Sequence, residues 1–237
     1  MPLKRPRHHV HYHPRLRRQA PALVRLAAGF RRFQRRWFCE DHNLYADLRE
    51  GQNPLALVIA CSDSRVDPVL LTDSRPGDLF VIRNVANLVP PYAPDLTCHG
   101  VSAALEYAVR HLHVCDIIVM GHAGCGGIRS LLEDDSTGED EFLGVWMQVI
   151  ARARKIVDRL LPDADPAERR RACEMWGIRI SLENLLTFPW IRTAADRGDL
   201  TLHGWYFDLD NGGLLQLDDQ TGEFLPLIRP CPAGERA

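Results

Sequence analysis

Leu55-Ala56-Leu57-Val58-Ile59-Ala60-Cys61-Ser62-Asp63-Ser64-Arg65 is the stretch from which this 237-residue chain is best read. Six successive apolar residues, entered through Asn53-Pro54, lack the polar alternation of a half-exposed strand. Such a run suits a strand buried on both faces, the habit of parallel sheets covered by helices. It runs into a cysteine, with an aspartate two residues further and an arginine four residues further. Two more runs resemble it: Leu79-Phe80-Val81-Ile82, entered through the turn Pro76-Gly77-Asp78, and Asp116-Ile117-Ile118-Val119-Met120. Between them Val101, Ala104, Leu105, Ala108, Val109 and Leu112 keep spacings of three and four, which predicts a helix from about His99 to Leu112. Strands alternating with helices point to an α/β sheet.

Downstream, Gly121 ends the third strand and Gly126-Gly127 open a helix through Leu132. A polar, acidic loop follows from Asp134 to Asp140. The spacing of Phe142, Val145, Trp146, Val149, Ala153, Ile156, Val157 and Leu160 predicts one long helix, stopped by Pro162. Another runs from about Pro166 to Leu186. Leu200–Phe207 reads as a fourth strand, and Asn211-Gly212-Gly213 is a hairpin signal into an antiparallel fifth, Leu214–Leu217. Upstream, Leu23, Leu26, Ala27 and Phe30 keep helical spacing after Pro21, with Arg31, Arg32, Arg35 and Arg36 mostly on the other face. Residues 1–20 carry Pro2, Pro6 and Pro14 without an apolar period and are expected to be a flexible arm ahead of a single domain, 21–237.

Hydrophobic residues at 46% and charged residues at 25% are ordinary for a globular protein. No stretch approaches twenty apolar residues, so no membrane span is expected. Nor is a signal peptide, because Ala20–Phe30 is interrupted by Arg25 and lacks a small-residue cleavage site. Seven scattered cysteines, an odd count, suit free or metal-bound thiols in a reducing compartment, and the cytoplasm is the expectation. The net charge of −2 hides an asymmetry: residues 1–39 hold eleven Lys or Arg and no acid, leaving −13 on the remainder. A basic arm of this kind fits nucleic acid or anionic lipid. It fits better the acidic surface of its own or a neighbouring subunit, so no nucleic-acid partner is expected. His8, His9, His11 and His13 could hold a metal weakly, but a Pro-flanked, unordered terminus is the simpler reading.

Sixty-one residues after Cys61 comes His122-Ala123-Gly124-Cys125. Cys61, His122 and Cys125 offer two thiolates and one imidazole, a set that suits zinc, and three protein ligands leave a fourth position for water. Both segments fall at the C-terminal ends of expected parallel strands, where sites in open α/β sheets gather. His122 and Cys125, three apart, can reach one ion from a strand-to-helix turn, and the helix start favours the Cys125 thiolate. Zinc there brings the pKa of bound water to roughly 7, and two thiolates make it a weaker acidifier than an all-histidine set. Asp63 can orient the resulting hydroxide while Arg65 holds Asp63 by a bidentate pair. Each residue taken singly has a plainer reading. A buried cysteine serves as a small hydrophobe, a histidine after a strand as a structural group, Asp-X-Arg as a surface ion pair, and the glycines as a turn or phosphate cradle.

Taken together, Ala60-Cys61-Ser62-Asp63-Ser64-Arg65-Val66, Pro76-Gly77-Asp78 through Asn87, Glu106-Tyr107-Ala108-Val109, Gly121–Gly127 and His203-Gly204-Trp205 resemble the β-class carbonic anhydrases over roughly residues 20–220. The resemblance implies an α/β fold with a central four-stranded parallel sheet and an added antiparallel strand, flanked by helices, plus an N-terminal helical arm that clasps an adjacent subunit. It implies one Zn2+ per subunit on Cys61, His122 and Cys125, a catalytic pair Asp63 and Arg65, and a homodimer or dimer-of-dimers tetramer acting on carbon dioxide and bicarbonate. The plant-like branch places a glutamine, a phenylalanine and a tyrosine at the substrate pocket, and Gln52, Phe80 and Tyr107 match by spacing. Val85 adds to the apolar slot, and backbone amides near Gly126 would polarise a substrate oxygen. The other branch binds bicarbonate apart from the metal through a tryptophan, an arginine and a tyrosine. Here Val58 and Phe207 replace the aromatic pair and only Arg83 remains, so Asp63 is expected on Arg65 rather than on the metal. A carbon disulfide or carbonyl sulfide hydrolase on the same fold, and a non-catalytic zinc or bicarbonate-binding module, are the rival readings.

Overall fold

The computed structural model describes residues 20–40, 44–95, 97–133 and 141–230. They fall in two compact units, one within residues 1–52 and one within 53–237, each described by itself. The arm 1–20 with its histidines lies outside the described residues apart from Ala20, and so does the acidic loop 134–140.

In the first unit, α1 (Ala20–Gln34) forms where the apolar spacing predicts it and passes through a wider π-type turn, Arg35–Glu40, toward α2 (Leu44–Leu48). Phe33, Phe38 and Tyr45 pack together, with Phe38 stacked on Tyr45 at 4.5 Å between ring centres. Leu23, Val24, Leu26 and Phe30 are exposed among the described residues.

The second unit is built on a six-stranded sheet: β1 (Ala56–Cys61), β2 (Leu79–Asn84), β3 (Asp116–His122), β4 (Thr201–Phe207), β5 (Leu214–Leu217) and β6 (Phe224–Ile228). The spatial order is β2-β1-β3-β4-β5-β6. The first four strands are parallel, and β5 and β6 are antiparallel additions. The expected four parallel strands and antiparallel fifth are present. The sixth was not anticipated because Pro226 interrupts its apolar run, yet on a sheet edge the missing N–H costs no ladder bond. Asp218 starts the turn between β5 and β6, its carboxylate accepting from the Gln220 and Thr221 amides.

β1 lies between β2 and β3, and all six of its residues are buried. Leu57, Ile59, Ile117 and Val119 share one core with Leu105, Ile178, Leu185, Phe188 and Ile191, while Val58, Ala60, Ile118 and Met120 face the other side. Each fully buried Leu or Ile contributes about 1.5–3 kcal/mol, which is why the run carries no polar residue. The short helix α3 (Pro68–Leu71) follows β1. The helix expected over 99–112 is α4 (Gly100–Glu106) continued by a π-type turn, Tyr107–His111. α5 (Gly126–Glu133) follows β3. The long helix expected over 142–160 is instead α6 (Leu143–Met147), a tight 3-10 turn, Gln148–Ile150, and α7 (Ala151–Leu160). Three residues per turn bring Met147, Ile150 and Ala153 onto the buried side together. α8 (Pro166–Leu185) is capped by Asp165, whose carboxylate accepts from the Ala167 and Glu168 amides, and α9 (Pro189–Asp196) precedes β4. α8 lies close on β3 and β4: a Cβ on Gly121 would sit 2.8 Å from the Ile178 side chain, and one on Gly204 3.0 Å.

Candidate metal centre

Cys61 ends β1 and His122 ends β3, with Ala60 opposite Met120 in the pairing of the two strands. Parallel pairing therefore delivers the two side chains to the same sheet edge. Gly124, at φ +69°, then turns the chain so that Cys125 enters α5 beside them. The donor atoms of Cys61, His122 and Cys125 lie within 4.8 Å of one another, and all three residues are buried. The two sulfurs are 3.9 Å apart.

The donor set fits a soft divalent ion. His122 Nδ1 donates to the Ala123 carbonyl at 2.9 Å, a bond that requires the proton on Nδ1 and leaves the Nε2 lone pair exposed to the two sulfurs. That Nε2 is buried without a hydrogen-bond partner among the described residues, a costly state that a cation relieves. Hydrogen bonding from the Cys125 thiol, against the opposing effect of burial, holds the Cys61 thiol well below its usual range, helped by the Asp63 and Ala86 amides. Cys125 is displaced upward by the Cys61 sulfur and by burial, and the Ile128 and Gly127 amides at the helix start only partly oppose this. The helix-start preference for a Cys125 thiolate is thus opposed by the neighbouring Cys61 sulfur and by burial. A cation between them removes that repulsion.

Asp63 and Arg65 stand beside this cluster. The Arg65 Nε donates to Asp63 Oδ1 at 2.9 Å and Nη2 to Oδ2 at 2.7 Å, a bidentate pair, and the Arg65 amide adds a third bond at 2.9 Å. The guanidinium holds the Asp63 carboxyl well below the usual carboxylate range. Arg65 Nη2 also reaches the Gly124 carbonyl at 3.0 Å, tying the loop after β1 to the turn that carries Cys125.

Arg83 has a part that its sequence context did not disclose. It donates to the carbonyls of Cys61 at 3.0 Å, Asp63 at 2.7 Å and Val66 at 3.3 Å, and to the Asp67 carboxylate at 2.8 Å. One guanidinium therefore holds the whole turn from Cys61 to Asp67. Its register accounts for this, since β2 pairs with β1 so that Arg83 lies opposite Ala60.

The remaining expected site residues are only partly gathered. The Phe80 and Tyr107 rings meet at a tilt, 5.9 Å between centres, with Tyr107 half exposed on its π-type turn. Val85 packs where a Cβ on Gly127 would be, 2.7 Å from its Cγ1, and its carbonyl accepts from the Trp146 indole at 2.8 Å. Gly126 opens α5 directly after Cys125. Gln52 is exposed and belongs to the first unit. Val58 is buried in the sheet core and Phe207 pairs with His122 in β4. Two residues went unnoticed in the sequence. Glu174 accepts the Cys125 amide, and Tyr206 donates to Glu174. The signal for Glu174 was an acid at position 174 on the stripe formed by Gly177, Ile178, Ser181 and Leu185.

An α/β sheet with two cysteines and a histidine gathered at its strand ends, beside an Asp–Arg pair, is the arrangement of a candidate metal site that could activate water. A family described as carbonic anhydrase matches residues 56–214. The chain is 40% identical over 199 residues to a carbonic anhydrase of Pseudomonas aeruginosa, covering 84% of this chain and 89% of that one. To a carbonic anhydrase of Synechocystis it is 37% identical over 204 residues, 86% and 74% of the two chains. Among solved structures, the β-carbonic anhydrase CcaA superposes with a TM-score of 0.83 at 36% identity, over 89% of this chain and 94% of that one. The β-carbonic anhydrase CafA of Aspergillus fumigatus gives 0.74 at 28%, over 83% and 91%. The chain belongs to the carbonic anhydrase family, in its β class.

Proposed function

We propose that the chain catalyses the reversible hydration of carbon dioxide to bicarbonate and a proton, with zinc held by Cys61, His122 and Cys125. The observation that carries this is the convergence of three buried donors, one of them an unpartnered ring nitrogen, beside the Asp63–Arg65 pair. Bound zinc supplies the acidity that makes a water nucleophilic near neutral pH. The residues of the chain do the rest. Asp63, ionised by its partner, accepts a hydrogen bond from the attacking water and so fixes the direction of its lone pair. Arg65 keeps Asp63 in place and cannot itself give up a proton. The apolar Phe80, Val85 and Tyr107 side chains suit an uncharged linear molecule, and the Gly126 N–H, which opens α5, is the donor to one of its oxygens. Arg83, committed to the Cys61–Asp67 turn, is unavailable to a second bicarbonate, in keeping with the plant-like branch.

The reading includes a homodimer or tetramer. It is supported by the exposed apolar residues of α1 and by the structural likeness to a tetrameric β-carbonic anhydrase of Sordaria macrospora. It also includes a cytoplasmic setting, supported by exposed, unpaired Cys39, Cys98 and Cys115. No helix among the described residues is long and apolar enough to cross a membrane. Stopped-flow carbon dioxide hydration on the purified protein, with its zinc content measured alongside, tests the reading. One zinc per chain with hydration above background is expected. Metal-free protein after purification in zinc-containing buffer, or turnover of carbon disulfide or carbonyl sulfide but not carbon dioxide, would overturn it.

A further inference from the structure

Glu174 is only 4% exposed, on the inner face of α8. Carboxylates are rarely so buried unless a cation pairs with them. Both of its donors here are neutral: the Cys125 backbone N–H at 3.0 Å on one oxygen and the Tyr206 hydroxyl at 2.8 Å on the other. Tyr206 is fully buried, and the Arg171 guanidinium lies over its ring at 4.9 Å while pairing with Asp208 at 2.9 Å. The cation therefore sits behind the phenol and not on the carboxylate. An apolar residue of similar volume would serve mere packing at lower cost. The Cys125 amide precedes the first turn of α5, so no helical carbonyl can receive it. Something outside the helix must hold it, and the direction in which it is held sets where the sulfur points.

We propose that Glu174 is a positioning residue for the Cys125 ligand: oriented by Tyr206, it fixes the Cys125 amide so that the sulfur faces the metal pocket. The proposal rests on the metal site described above. It also explains the close approach of α8. Ile178, one turn along from Glu174, fits only because Gly121 and Gly204 carry no side chain, and that contact brings the carboxylate within reach of the turn. β4 braces the same region twice, since the Phe207 carbonyl accepts from the Ala123 amide at 2.9 Å and Tyr206 orients Glu174.

The test compares zinc-loaded parent, Glu174→Leu, Glu174→Gln and Tyr206→Phe by their rate of zinc loss to a chromogenic chelator. The thiolate-to-metal absorption band of the cobalt-loaded forms is the second readout. Glu174→Leu is expected to release zinc about 10–100-fold faster and to weaken the band. Glu174→Gln should restore both, because its amide oxygen accepts the same N–H and its NH2 can donate to the Tyr206 oxygen. Tyr206→Phe should fall between. A Glu174→Leu protein with the parent's release rate and band overturns the proposal, and so does a Glu174→Gln protein as impaired as the leucine variant. If circular dichroism shows the leucine variant unfolded, Tyr206→Phe and Glu174→Gln decide: the proposal fails if Tyr206→Phe releases zinc at the parent rate. A parent that binds no zinc would instead overturn the metal site itself.

Discussion

The two jaws of the metal pocket are held by different physics. The Cys61 jaw is a polar turn that carries the Asp63–Arg65 pair: the Arg65 side chain is 54% exposed, and the turn keeps its shape through guanidinium bonds from Arg83 and Arg65. The Cys125 jaw is a close-packed helix entrance, in which Gly127 has no room for a side chain and the amide is received by a buried carboxylate. Charged hydrogen bonds hold a turn while leaving its groups open to solvent, as the proposed role of Asp63 requires. Steric closeness fixes a ligand without needing charge, and suits the side that never has to open.

The largest effects are expected at the sulfurs. Cys61→Ser and Cys125→Ser are both expected to lose zinc and to drop hydration to background, measured by metal content after dialysis and by stopped flow. A variant that kept its metal would show one jaw to be dispensable. Asp63→Asn comes next: zinc is retained and turnover falls about 10–100-fold. Because Arg65 depresses the Asp63 pKa, the folded carboxylate stays charged well below its unfolded value of about 4, and its pairing is lost only as pH falls through that lower folded value. The rise of turnover with pH expected between about 6 and 8 therefore does not come from Asp63, and the inflection should survive in Asp63→Asn.

Arg83→Lys distinguishes charge from geometry in the first jaw. An ammonium cannot span three carbonyls and a carboxylate at once, so a loss of about 2 kcal/mol is expected from the denaturant midpoint. Gly127→Ala probes the second jaw, where the added methyl must displace Val85 and Ala86. A cost of about 1–3 kcal/mol is expected from thermal unfolding. Little change there would mean that the helix entrance is looser than its packing indicates.

Much of this was legible before folding. The six-residue apolar run of β1, the helical spacing of α1 and α8 and the hairpin glycines each reflect a local period or turn, and short-range physics writes these directly into the chain. The interruption of the helix over 142–160 escaped notice because a 3-10 turn preserves the three-residue spacing that a helix also shows. β6 escaped because proline is forbidden only inside a sheet, and edge position is not a local property. Arg83 and Glu174 had their types in plain view, yet what each one touches depends on the register of β2 on β1 and on the distance of α8 from β3.

From residue order alone came the donors themselves: two sulfurs, an imidazole, and an acid and a base near the first of them, each placed where a strand gives out. Covalent sequence fixes which chemistry is carried and on which kind of element. Only the tertiary structure decided that a His122 nitrogen without a hydrogen-bond partner among the described residues faces two sulfurs, that one arginine grips the turn from Cys61 to Asp67, and that a buried acid stands behind Cys125. Those facts depend on strand register and helix–sheet distance, which are set by packing among residues far apart in the chain.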